Sequence, residues 1–259
     1  MILSFFKKIL AILIVVFIFF SCTSDNSTNP PEQNFADYYP GGIGSTFKYS
    51  VIETDSIGNV VQSGTRNILL SGSFNFRGRE YITQEDSLDF GSQSSINTFL
   101  FRKTETGVFY AIDTSQISLL IPDSLKQYVS LRDEMQLLFY PLTSGSSWSL
   151  YRVTADIQPV ISIKILDIVA SFEKSEQVDL NLSTGTVSMS SQKVKYTLEL
   201  YSDFGSPHSM YTAYMWYVEN IGLVKFQGNQ FIINLIGGGI SIEPSPDILT
   251  QELTEYSLK

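Results

Sequence analysis

The 259-residue chain has one cysteine, Cys22, and one histidine, His208. A single Cys excludes an internal disulfide and any thiolate metal cage. A single His beside it excludes the Cys₂His₂ and His₃ zinc sets and leaves only mixed carboxylate sites open. Cations are scarce as well: 17 Lys and Arg face 26 Asp and Glu, giving a formal charge of −9 and a pI near 4.6. Nucleic-acid binding needs clustered Lys and Arg to neutralise phosphates, so this composition argues against it. Long apolar runs are missing too. The unbroken run at residues 9–20 has 12 residues, whereas a membrane-spanning helix needs roughly 20. The length allows one large or two small domains with a real core.

What is present begins at that run. Lys7 and Lys8 precede it, and Ser21-Cys22-Thr23-Ser24 follows it. A basic start, a short apolar core and a small residue before the only Cys make a signal peptide. The pattern resembles the bacterial lipobox, in which the Cys is thioether-linked to diacylglycerol and becomes the mature N-terminus. Phe19 and Phe20 depart from the Leu and small residue usual there. The resemblance implies a lipoprotein signal peptide over residues 1–21 and lipid attachment, with palmitate-type acyl chains, at Cys22. Thr23 stands where the Gram-negative sorting rule places Asp for inner-membrane retention. That implies an outer-membrane anchor with the domain on the periplasmic side. The alternative is an ordinary secretory signal or short anchor, with Cys22 incidental. Residues 22–37 are polar and Pro-containing, almost free of aliphatics, and read as a disordered tether.

From Tyr38 onward the pattern has period two. Phe47, Tyr49 and Val51 alternate with Lys48 and Ser50, and Tyr196, Leu198 and Leu200 alternate with Lys195, Thr197 and Glu199. Phe231, Ile233 and Leu235 alternate again. Half-buried antiparallel strands give this pattern. Turn signals separate them: Gly58-Asn59, Arg77-Gly78, Gly107, Gly185, residues 203–207, Asn220 to Gly222, and Gln227-Gly228-Asn229. Residues 160–172 read as one long strand with a bulge near Leu166, where the alternation changes phase. Ile121, Leu125, Tyr128 and Val129 fall at helical spacing behind Pro122 and Asp123, which predicts one short helix near 122–131. The fold class is all-β: a curved antiparallel sheet over residues 38–259.

Tyr39-Pro40, Gly44 and Phe47 recur as Tyr140-Pro141, Gly145 and Trp148, at a constant offset of 101. One reading is two related β-modules, with internal halves at 38–138 and 139–259; the other is one good loop solution used twice. Each copy reads as a turn, a tight bend and a strand opened by a core aromatic.

Together these stretches resemble a group of uncharacterised Bacteroidota-type bacterial lipoproteins. Three motifs carry the resemblance. The first is Tyr38-Tyr39-Pro40 with Gly44, Phe47 and Tyr49; the second is Pro141-Leu142 with Gly145 and Trp148. The third is Trp216-Tyr217 followed by Ile221-Gly222-Leu223-Val224-Lys225. Phe47 and Asn220 depart from the Trp and Gly commoner there. The resemblance implies a curved antiparallel sheet, loosely like half-barrels and periplasmic lipoprotein carriers, and implies no established activity.

No catalytic set assembles from the usual parts. His208 sits in a Ser-rich turn without an evident orienting acid. Glu85, Asp86 and Asp89 read as a solvated acidic turn, since the spacing lacks the Gly and terminal Glu of a calcium loop. Gly237-Gly238-Gly239 has no Lys-Ser/Thr behind it and reads as a hairpin tip or bulge. No cofactor is expected. The strand at residues 210–218 is the most suggestive. Its two faces, Met210, Tyr214, Trp216 and Val218 against Tyr211, Ala213, Met215 and Tyr217, are both apolar or aromatic. Tyr211, Tyr214, Met215, Trp216 and Tyr217 are the candidate apolar cleft. The expectation is a non-enzymatic, lipid-anchored domain that binds an apolar ligand or an envelope partner. The alternatives are a structural or assembly lipoprotein with no small ligand, and a carboxylate-dependent glycan hydrolase.

Overall fold

A computed structural model describes residues 36–157, 161–203, 206–236 and 245–259. Cys22, nearly all of the tether and Gly237-Gly238-Gly239 lie outside the described residues.

Among the described residues, twelve strands form one antiparallel sheet. They are β1 (Thr46–Thr54), β2 (Val60–Phe76), β3 (Arg79–Asp89), β4 (Ser94–Thr104), β5 (Gly107–Ala111) and β6 (Glu134–Phe139), then β7 (Ser147–Ile157), β8 (Ile161–Leu182), β9 (Gly185–Asp203), β10 (Ser206–Val218), β11 (Gly222–Asn229) and β12 (Ile248–Ser257). Two short helices accompany them, α1 (Thr114–Leu119) and α2 (Gln230–Ile236). The strand order is β6-β5-β4-β3-β2-β1-β12-β11-β10-β9-β8-β7. Each hairpin partner is therefore a sequence neighbour, and β1 closes on β12 (Thr46 opposite Ser257, Thr54 opposite Ile248). This is the cyclic order of an up-and-down barrel whose open seam lies between β6 and β7, in the middle of the chain.

The seam is stapled by side chains instead of a ladder. Trp148 Nε1 on β7 donates to the Gln136 carbonyl on β6 at 3.1 Å. Tyr151 Oη on β7 donates to the Arg132 carbonyl at 2.8 Å, and Tyr196 Oη on β9 reaches the Leu137 carbonyl at 3.2 Å. The β6 carbonyls of Gln136 and Leu137, and that of Arg132 just before the strand, thereby find donors without a strand partner. The result is a curved, nearly closed half-barrel.

Alternation fixes which residues face inward. On β1, Phe47, Tyr49 and Val51 are buried, whereas Thr46, Lys48 and Ser50 are exposed. On β9, Tyr196 and Leu198 are fully buried. Outward positions on β1, β11 and β12 carry charge, including a Lys225–Glu252 ion pair at 2.6 Å. Charge outside and an apolar core inside reverse the pattern of a barrel that spans an outer membrane. The expected bulge in the long strand is present: Val153 pairs with Leu166 but Thr154 pairs with Lys164, so Ile165 is the extra residue. Both echoed turns place a glycine at positive φ, Gly44 at 91° and Gly145 at 84°. Three residues on, each opens its strand with a buried aromatic, Phe47 or Trp148.

The structure corrects several local readings. The α-helix lies at Thr114–Leu119, capped by the Asp113 side chain on the Ser115 N–H, and residues 122–131 carry only the 3₁₀ turn Lys126–Tyr128. Residues 230–236 are helical although Phe231, Ile233 and Leu235 alternate. Asn229 caps the Phe231 N–H at 3.0 Å, and Phe231, Ile232 and Ile236 are buried. Gly228 lies within β11 and makes no turn there; a Cβ on it would lie 2.3 Å from Ala213 Cα, so the glycine permits close strand approach. Glu85, Asp86 and Asp89 lie in β3, where alternation sends Asp86 inward to 4% exposure.

Candidate functional site

Residues 36–44 form a strap that packs onto the barrel end. The Asp37 carbonyl accepts from the Asn220 N–H at 2.6 Å, and the Asp37 carboxylate accepts from Lys103 Nζ at 2.6 Å. Pro40 lies against Gly222, where an added Cβ would sit 3.1 Å from Pro40 Cδ. Gly222 has φ of 104°, a conformation that suits glycine. Tyr49 Oη donates to the Leu223 carbonyl at 3.0 Å. The Tyr38-Tyr39-Pro40 and Asn220-Ile221-Gly222-Leu223 motifs, far apart in sequence, thus interlock.

Tyr39 turns inward from the strap. Its ring packs edge-on to Phe101 at 5.0 Å, and its hydroxyl meets those of Tyr110 and the Gln84 Oε1. Tyr110 Oη lies 2.9 Å from the same Gln84 oxygen. Beneath this plug is a cavity of about 60 Å³. Its walls are mostly apolar, with Ile68 and Leu70 from β2, Leu137 from β6, Met215 from β10, Phe226 from β11 and Ile233 from α2.

One polar cluster enters this apolar wall. Arg66 on β2 and Asp86 on β3 are diagonal neighbours across the pair, since Arg66 faces Leu88 and Ile68 faces Asp86. Arg66 Nε donates to Asp86 Oδ1 and Oδ2 at 2.9 and 2.8 Å, and Nη2 donates to Oδ2. Arg66 Nη1 donates to Gln251 Oε1 on β12 at 3.0 Å. The side chains of Arg66 and Asp86 are 13% and 5% exposed. Burial works against the guanidinium charge, but Asp86 outweighs it and holds the Arg66 pKa above its ordinary value. Burial likewise pushes the hydroxyls of Tyr39, Tyr49 and Tyr110 upward, so all three are neutral donors at any physiological pH.

Gln251 is fully buried and lines the cavity. Its orientation is fixed by chemistry: a guanidinium can only donate, so the atom facing Arg66 must be the amide oxygen. The Nε2 amide nitrogen then has no hydrogen-bond acceptor among the described residues.

The sequence-predicted cleft residues divide between two faces. Met215 and Tyr217 line the cavity. Tyr217 Oη also pairs with Tyr196 Oη at 2.9 Å. Tyr211 packs edge-on against Phe231 of α2 at 5.1 Å. Tyr214 and Trp216 lie on the opposite face, where Lys193 Nζ sits 4.4 and 4.9 Å from their ring centroids and Trp216 Nε1 donates to Glu176 Oε1 at 2.6 Å. Met210 is 62% exposed. Sequence does not single out Arg66 and Gln251, and it reads Asp86 as part of a solvated acidic turn. No group of three or more His, Cys, Asp and Glu side chains is placed to hold a metal among the described residues. His208 falls within β10 and not in a turn.

No protein-family model and no curated protein matches the chain. Among solved structures, it is similar to a protein of Parabacteroides distasonis named as a lipoprotein, at 14% identity and TM-score 0.46, covering 87% of this chain and 100% of that one. It is similar to an exported protein of Bacteroides fragilis with a YmcC-like fold, at 11% identity and TM-score 0.46, covering 86% and 99%. The lipoprotein YmcC of Escherichia coli gives 9% identity and TM-score 0.32, covering 80% and 83%. The relationship to these bacterial lipoprotein and YmcC-fold chains is a distant one.

Proposed function

We propose that this is a lipid-anchored envelope protein whose half-barrel receives the end of an apolar or amphipathic molecule. The observation that supports ligand binding is the cavity under Tyr39, with apolar walls and one polar corner. Its size sets the scale of the occupant. At about 60 Å³ it is smaller than the ~150 Å³ apolar cavity that takes benzene. It therefore holds the tip of a chain or ring, with the rest of the molecule leaving past the strap. Anchoring rests on the sequence: Lys7 and Lys8, the apolar run and Cys22. Thr23, standing where the sorting rule places Asp for inner-membrane retention, supports an outer-membrane anchor, and we place the domain on its periplasmic side. The alternative is an assembly role that uses the outer surface; exposed Ile57, Val60 and Val61, grouped at the β1–β2 turn, favour it.

Two measurements test the proposal. Palmitate labelling of cells should mark the wild-type protein and be lost in Cys22→Ala; equal labelling of both would refute the anchor. Native mass spectrometry of gently extracted protein should show a small bound adduct that disappears in Met215→Trp, which fills the cavity. An adduct-free wild type, or one unaffected by the filling, would favour the assembly role.

A further inference from the structure

We infer that the cavity selects a ligand whose buried end is a neutral oxygen acceptor, such as an ester, amide or ketone carbonyl, over one that ends in a carboxylate or phosphate. The inference rests on the ligand-binding reading above and adds its chemistry.

Charge decides the first half of the argument. Among the described residues, Arg66 is the one formally charged residue in the cavity lining, and Asp86 already neutralises it with bonds from two guanidinium nitrogens. The pair is nearly dehydrated and carries no net charge. An anionic ligand would bring an unmatched charge within reach of Asp86, in a site whose lining has no second cation among the described residues. Burying an uncompensated carboxylate costs far more than burying a neutral carbonyl.

Hydrogen-bond geometry supplies the second half. Gln251 Nε2 carries two N–H groups, is fully buried and finds no acceptor among the described residues. Leaving such a donor unsatisfied forfeits its hydration with nothing in return. The oxygen of Gln251 is committed to Arg66, so the amide cannot flip to present an acceptor instead. The polar corner therefore offers donors. A carbonyl oxygen placed at Gln251 Nε2, with its hydrocarbon towards Met215, Phe226 and Ile233, satisfies the donor and keeps the apolar wall apolar. A plain alkane leaves the amide unsatisfied.

The test uses the full chain in lipid nanodiscs, with ¹³C-methyl methionine and ¹⁵N side-chain glutamine labels. The additives are 2-octanone, octanoate and octane at pH 7.5. Met215→Leu and Gln251→Leu assign the two reporter signals. The Met215 methyl signal reports occupancy of the cavity, and the Gln251 amide signal reports an acceptor on Nε2. The expected result is that 2-octanone shifts both signals, while octane shifts Met215 alone. Octanoate should need at least a tenfold higher concentration than 2-octanone to shift either. If octanoate shifts the Gln251 signal at equal or lower concentration, the neutral-acceptor inference falls and the ligand-binding reading stands. The same holds if 2-octanone shifts Met215 but leaves Gln251 unmoved. If no additive moves Met215, the ligand-binding reading itself falls.

Discussion

Asp86→Ala should destabilise the fold by about 3–5 kcal/mol, the usual cost of removing one partner of a buried ion pair. The variant leaves the Arg66 guanidinium in place, 13% exposed, with Gln251 Oε1 as its remaining partner. Urea unfolding followed by circular dichroism should show the midpoint fall without a change of slope. The double variant Arg66→Met, Asp86→Leu should recover most of that loss, because well-packed apolar side chains replace both charges together. This contrast separates a pairing effect from a packing effect. If the double variant is as unstable as Asp86→Ala, the cluster contributes through shape and not through charge compensation.

Trp148→Ala should cost a similar ~3–5 kcal/mol, the range for removing a buried Trp from a core. Trp148 is 8% exposed, and it is the first large side chain of β7. Its ring packs near Phe139 at 6.3 Å, and its Nε1 donates to the Gln136 carbonyl across the seam. Trp148→Phe keeps most of the apolar area and loses the hydrogen bond, so it should cost only about 1–2 kcal/mol. Amide exchange of β6 should accelerate in both variants and most in Trp148→Ala, since no ladder holds β6 to β7. Unchanged protection of β6 would mean that Tyr151 and Tyr196 hold the seam without Trp148.

These two residues differ in how legible they are from sequence. Trp148 opens a period-two strand behind a glycine turn, and its burial follows from local pattern. β1 and the bulge at Ile165 are legible for the same reason: a period-two pattern and its phase change are local signals. Asp86 is not. Its partner Arg66 is 20 residues away and Gln251 is 185 from Arg66, so the cluster depends on strand register that no local signal encodes. Three nearby carboxylates look like a solvated turn until β3 places one of them inward. The α2 segment was misleading because its apolar residues also alternate. The discriminating signal was Asn229, a good helix cap directly before Phe231. For β10, alternation separates Met215 and Tyr217 from Tyr214 and Trp216, but which face becomes concave depends on the curl of the whole sheet.

The pairing of the first strand with the last also sets the order in which the molecule can be built. Neighbouring hairpins can form as the chain lengthens, because their contacts are close in sequence. The β1–β12 ladder joins Thr46 to Ser257 and must wait for nearly the whole chain. Until then β1 and β11 each present an unpaired edge, the condition that favours aggregation. Gln251 arrives with β12, so the corner around Arg66 is completed in that same late step. Completion of the Arg66 corner and protection of the sheet edges are thereby one kinetic event, governed by the slowest contact in the chain.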